Sequence, residues 1–365
     1  MKFVFWQNII SFHQSAFLNA LSEKHEITLV VEKSIEADRK EQGWNIPGLE
    51  KIKIIVLPEE NQIFQLLDET AIHVFSGIVA YPMLSQAFKY AIKKGLKIGV
   101  LMEPFKWIGL AGKIRWMKYC FLNIRFGSKI DFIAATGELG VLQYQNIGFK
   151  PSKIFEWGYF VEYTDLSINI EEKIEDFQKP SILFVGSIDD RKNIIPQIEI
   201  IKKFHDRISK MTIVGDGPLK EKLITIIQDQ SIFDFQGNLP NNEVKQLMTS
   251  HDILILPSKF DGWGAVINEA LHAGMQVISS ENCGASVLLD GETRGEIFQF
   301  KGQSDFETVM LKWINKGALK YDERLCISDW SKNHISGKVV ASYFEQIVKY
   351  VYSKDSKRPL APWRK

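Results

Sequence analysis

The chain has 365 residues, with 45 Lys plus Arg against 44 Asp plus Glu and 45% apolar residues. That length exceeds one ordinary core and suits two α/β domains with a cleft between them, while the balanced charge excludes the global field that marks a nucleic-acid binder. Three cysteines, Cys120, Cys283 and Cys326, odd in number and far apart, exclude a disulfide framework or a zinc-ligand spacing and fit a reducing cytoplasm.

The N-terminus, MKFVFWQNII, has no small-residue cleavage site and reads as a first strand. Short β-branched runs follow at 27–31, 52–57, 72–75, 98–101 and 132–135, separated by amphipathic stretches. That alternation predicts a parallel sheet with helices on both faces. His13 and Gln14 fall where the first strand turns into the first helix, and Glu103 ends the strand at 98–101. All three are expected at the carboxyl edge of the sheet, where open α/β sheets bind ligands. A helix cap for His13 and a pairing of Glu103 with Lys106 are the structural alternatives.

Residues 104–130 hold Lys106, Lys113, Arg115, Lys118, Arg125 and Lys129 and no acidic residue, a local charge of +6, interleaved with Trp107, Trp116, Tyr119, Phe121 and Phe126. This is the pattern of a helix in an anionic membrane interface. The alternative is an ordinary helix with an apolar core face and a solvated basic face. No apolar run reaches the roughly eighteen residues of a transmembrane helix, so membrane contact would be peripheral.

The periodicity lapses over 161–180, which reads as a linker between a domain at 1–165 and a second at 166–338. Beyond it, strand patterns at 181–186, 211–215, 233–236, 252–257 and 276–280 alternate with helical ones at 193–208, after Pro218, and at 242–249 and 266–273, predicting a second doubly wound domain. A closing segment at 339–365 would supply a helix packing back toward the first domain and a basic tail. Within 257–274, PSKFDGWGAVINEALHAG, a strand ends at Pro257 and a helix is expected to open near Gly264 and to close at Gly274. A helix N-terminus there could hold a diphosphate, with Gly262 and Gly264 removing Cβ atoms from its path. Asp261 and Glu269 would place one carboxylate at each end of such a ligand. An N-cap and a solvated helix face are the alternatives for the two.

This segment resembles the donor-site signature of glycosyltransferase family 4, of the GT-B fold of two Rossmann-like domains. The signature is Glu, seven residues, Glu. Asp261 stands at its first position and Glu269 at its second, with Gly262, Trp263 and Gly264 as the Gly-aromatic-Gly between. FVG at 184–186, followed by SIDDRKN, is similar to the family's diphosphate loop: Gly186 matches its Gly and Lys192 its Lys, while Ser187 occupies the usual Arg position and Arg191 stands close enough to substitute. VGDGP at 214–218 resembles the family's strand-to-helix turn, and FQGNLPNNEV at 235–244 its base-binding loop near Leu239. The Gly-rich loop that relatives often carry near His13 is absent here.

The resemblance implies a retaining hexosyl transfer from a UDP- or GDP-linked sugar to a glycan acceptor, lipid-linked, in bacterial surface polysaccharide, lipopolysaccharide or capsule biosynthesis. It implies no cofactor and no essential metal, while the cysteine count and the basic stretch at 104–130 point to a cytoplasmic enzyme, peripheral on the inner face of the cell membrane. Lys192 would neutralise the departing diphosphate, Asp261 orient the sugar and Glu269 hold the ribose. His13, Gln14 and Glu103 would meet the acceptor, and Lys106, Lys113, Arg115, Trp116 and Lys118 the membrane. Two other readings stay open: a catalytically silent GT-B scaffold, and a sugar-nucleotide epimerase of the same fold.

Overall fold

A computed structural model describes residues 1–33, 48–163, 179–300, 303–353 and 357–364. Most of the expected linker at 161–180, with the boundary at 165, lies outside the described residues. The chain forms two compact units, one ending at Glu162 and resuming over His334–Lys365, the other spanning Tyr163–Asn333.

In the first unit seven parallel strands are described: β1 (Lys2–Gln7), β2 (Glu26–Val31), β3 (Lys53–Val56), β4 (Ile72–Ser76), β5 (Lys97–Met102), β6 (Phe132–Thr136) and β7 (Ile154–Trp157). They lie in the order β3-β2-β1-β4-β5-β6-β7. The central strands are buried along nearly their whole length, because helices cover both faces; such strands read as continuous apolar runs. Those helices are α1 (Phe12–Ser22), α2 (Glu60–Leu66), α3 (Pro82–Lys94), α4 (Gly109–Phe126) and α5 (Gly137–Asn146).

The second unit repeats the plan with β8 (Ile182–Val185), β9 (Met211–Val214), β10 (Phe233–Gly237), β11 (Ile253–Leu256), β12 (Gln276–Ser280) and β13 (Gly295–Phe298), ordered β10-β9-β8-β11-β12-β13. Its helices are α6 (Ile194–Ile201), α7 (Lys220–Ile227), α8 (Asn241–Ser250), α9 (Val266–His272), α10 (Gln303–Lys316) and α11 (Tyr321–Ile335). The helix expected over 193–208 stops at Ile201 and tightens into a 3-10 turn at Lys202–Phe204. Every pairing described in both sheets is parallel, so in each unit the loops that follow the strands gather on one edge.

The last helix, α12 (Gly337–Ser353), belongs to the first unit. Its Phe344 ring meets those of Phe3, Phe5, Phe17, Phe132 and Trp157 at centroid distances of 5.2–6.0 Å. Gly337 starts it because a Cβ there would lie 2.2 Å from the Ala16 carbonyl oxygen. The basic tail is not free. Trp363 is buried and donates to Glu156 Oε1 at 2.9 Å, while Arg364 bonds Glu156 at 3.0 Å and Glu138 at 2.8 Å.

Candidate active site

Four loops at the carboxyl edge of the second sheet build the site. After β8 the chain runs Gly186–Asn193. Asp189 organises this stretch, accepting the Lys192 backbone N–H at 2.7 Å and the Ser187 hydroxyl at 2.8 Å. Burial alone would raise the Asp189 carboxyl, but these bonds and the neighbouring cations hold it below its ordinary value. The loop ends on Asn193 in the left-handed region, φ 56, with its amide donating to the Pro257 carbonyl at 3.3 Å. Gly186 leaves room for the Lys192 stem, whose Cε would lie 3.3 Å from a Cβ at that position. After β9, Gly215 adopts φ 139, and a side chain there would strike the Gly186 carbonyl oxygen at 1.9 Å.

The loop after β11 is tied to the loop after β12. Asp261 N–H donates to the Asn282 carbonyl at 3.0 Å and its own carbonyl accepts from Gly284 at 3.1 Å, a short parallel bridge. A side chain at Gly284 would lie 2.3 Å from the Gly262 carbonyl oxygen. The bridge presents the Asp261 carboxylate to the β8 loop, where Oδ2 meets Lys192 Nζ at 2.7 Å and Arg191 Nη1 at 3.3 Å. Lys192 and Asp261 are largely shielded from water and Arg191 is half exposed. Arg191 also reaches the Ser187 hydroxyl at 3.5 Å.

Glu269 lies in the first turn of α9, and burial pushes its carboxyl up to about 7 against a small opposing pull from Lys245. Leu239 is half-buried between Gly237, φ 64, and Pro240. The helix spans the seven residues Val266–His272, where the periodicity at 266–273 puts it. Gly264 is required by its φ of 91 and by the packing of Cys283 Sγ, 2.7 Å from where a Cβ would stand. One expectation for this segment needs correction. Trp263 is fully buried, with Nε1 donating to Asn268 Oδ1 at 2.7 Å, so its ring supports the loop from beneath and offers no ligand surface. Gly274 does end the helix in the left-handed region, φ 72.

In the first unit, His13 and Glu103 are brought together by a residue the pattern did not single out. The Tyr159 hydroxyl donates to Glu103 Oε1, and the Tyr159 ring lies 5.8 Å from that of His13. The Glu103 carbonyl also accepts the Tyr144 hydroxyl at 2.5 Å. Tyr159 follows β7 in a non-repetitive loop, which carries no sequence signal. Gln14 does not join this group; it is buried and its carbonyl accepts from Gln7 Nε2 at 2.5 Å. Lys106, Lys113, Arg115, Trp116 and Lys118 are all exposed on or just before α4. Among the described residues no cluster of three or more His, Cys, Asp or Glu side chains could hold a metal, and no helix is long and apolar enough to cross a membrane.

Two Rossmann-like units, each built on a parallel sheet, define the GT-B architecture. Residues 167–326, within the second unit, match the family model described as Glycosyl transferases group 1. An uncharacterized 41.2 kDa protein in the cps region of Klebsiella pneumoniae is 23% identical over 281 residues, covering 73% of this chain and 75% of that one. Other curated relatives are matched over only 26% to 36% of their own length. Two solved structures share the fold. The lipopolysaccharide outer core galactosyltransferase WaaB superposes with a TM-score of 0.67 at 16% identity, over 97% of this chain and 100% of that one. Alr3699/HepE of Anabaena, solved with UDP-glucose, gives 0.61 at 12% identity, over 97% and 99%.

Proposed function

We propose that this chain transfers a sugar, with retention of configuration, from a nucleoside diphosphate sugar to a lipid-linked glycan acceptor in the assembly of a bacterial surface polysaccharide. The observation that carries the reading is the convergence of Lys192 and Arg191 on Asp261 at the carboxyl edge of the second sheet. Two cations held on one carboxylate, Lys192 shielded and Arg191 half exposed, form a preorganised anion site: a diphosphate arriving there exchanges one negative partner for another. As the glycosidic bond breaks, charge grows on the departing diphosphate, and fixed cations stabilise it without reorganisation. Asp261, released from its partners, then faces the sugar, and Glu269 accepts from the ribose hydroxyls. In the first unit the Glu103 carboxylate, oriented by Tyr159, receives the acceptor hydroxyl proton. The UDP-glucose complex of HepE favours UDP as the donor's nucleotide, and the galactosyltransferase activity named for WaaB favours a cell-surface glycan as product.

A thermal-shift panel of UDP- and GDP-sugars tests this reading. A ligand at a hundred times its dissociation constant adds about 2.7 kcal/mol to stability, so one donor should raise Tm by several degrees. The same donor should label a lipid-soluble glycan, and Lys192→Ala should abolish both effects. Absence of stabilisation by every nucleotide sugar at millimolar concentration would sink the proposal.

A further inference from the structure

Helix α4 carries an apolar face that no element covers among the described residues. Leu110, Ile114, Met117, Phe121 and Ile124 recur at steps of four, three, four and three, which places them on one face of a helix. Their exposures run from 55% at Ile114 to 82% at Ile124. Trp107 and Ile108, exposed at 40% and 75%, continue the surface beyond the helix start. The helix cannot roll to hide this face, because the opposite one is anchored. Gly112, Leu122 and Phe126 are buried, Gly112 lies so close to Trp107 that a Cβ would meet its carbonyl carbon at 2.1 Å, and Tyr119 stacks on Phe105 at 4.9 Å. The sequence-based alternative of a core face and a solvated basic face accounts for Gly112, Leu122, Phe126 and the exposed cations, but not for the exposed apolar stripe.

Soluble surfaces seldom expose so many contiguous large apolar side chains unless they bind something. Charge selects the occupant. Lys113 flanks the stripe on one side, Lys118 and Arg125 on the other, and all three are exposed. A second copy of the same face would set these three cations against three, with no acidic residue in 104–130 to answer them. An anionic lipid surface satisfies both features, taking the apolar stripe among its acyl chains and the cations among its phosphates.

We propose that α4 lies in the plane of an anionic bilayer, with Leu110, Ile114, Met117, Phe121 and Ile124 inserted and Lys113, Lys118 and Arg125 at headgroup level. The docking stands apart from the transfer reading. One consequence rests on that reading: Glu103 precedes Trp107 by four residues, so a docked α4 brings the acceptor residues of the first unit to the membrane surface, where a lipid-anchored glycan is found.

Flotation with vesicles of equal phosphatidylglycerol and phosphatidylcholine, and with phosphatidylcholine alone, tests the docking. The parent protein should float with the anionic vesicles and keep part of that binding after a high-salt wash, since the inserted stripe is not screened. The triple variants Ile114→Gln, Met117→Gln, Phe121→Gln and Lys113→Gln, Lys118→Gln, Arg125→Gln should each lose at least tenfold in partitioning, the first losing the salt-resistant fraction. All six positions are exposed, so both variants should fold, and an unchanged donor-induced Tm shift would confirm it. Unaltered flotation of the apolar variant overturns insertion. So does a parent that ignores anionic vesicles but self-associates through this face. Neither result bears on donor binding, which the thermal panel judges alone.

Discussion

At the residue scale, the pairing of Lys192 with Asp261 decides what a substitution does. Removing the Asp261 charge frees two cations for a diphosphate while taking a carboxylate from the sugar. Asp261→Asn should therefore hold or tighten UDP binding and lower kcat at least tenfold, the mark of an interaction made in the transition state. Titration calorimetry and turnover measured on the same preparation check this; UDP affinity lost together with turnover would mean the carboxylate only props the β8 loop. Glu269 gives a second prediction. Its carboxyl is raised from an ordinary 4.5 to about 7, so the folded state favours the neutral form. Its stabilising effect is complete below about 4.5, declines as pH rises toward 7 and is flat above. A ribose hydroxyl donating to it prefers the ionised form, so donor affinity should rise with pH through 7. Glu269→Gln should remove both slopes, and UDP binding followed between pH 6 and 8 is the measurement. The convergence of Lys192 and Asp261 was legible because spacing around glycines is a one-dimensional signal. Trp263 was misjudged because its position in the motif says nothing about which way an indole turns, and the buried Asn268 amide turns it inward.

At the scale of elements, the alternation of strands and helices was legible because fully covered parallel strands are apolar throughout. β7 and β13 escaped it: IFEW and GEIF are four residues long and each carries a glutamate, too short and too polar to stand out. The bridge between the β11 and β12 loops was also invisible, since it joins residues through backbone atoms alone. Its dependence on Gly284 yields a prediction. Gly284→Ala forces a Cβ against the Gly262 carbonyl, an overpacking that costs about 1–3 kcal/mol. Because that carbonyl adjoins Asp261, the variant should lose donor-induced stabilisation more completely than it loses Tm. A variant that melts early yet is stabilised normally by donor would separate the bridge from the site.

At the scale of the molecule, the first unit is completed by residues far along the chain. Phe344 fills the space between five aromatic rings of that unit, and truncating so large a buried ring costs about 3–5 kcal/mol. Phe344→Ala should lower the melting of the first unit and leave the donor-stabilised transition of the second in place. Calorimetry with and without donor resolves the two; a uniform shift of both transitions would contradict it.

The same return of the chain has a consequence for biosynthesis. The second unit is contiguous over Tyr163–Asn333, whereas the first lacks α12 and the Trp363 anchor until His334 and the residues beyond it have left the ribosome. Domains ordinarily fold from the N-terminus forward as they emerge. Here the order is inverted: the unit translated first closes last, and until it does, the ring faces of Phe3, Phe5 and Phe17 that await Phe344 remain open to chaperones and to other nascent chains.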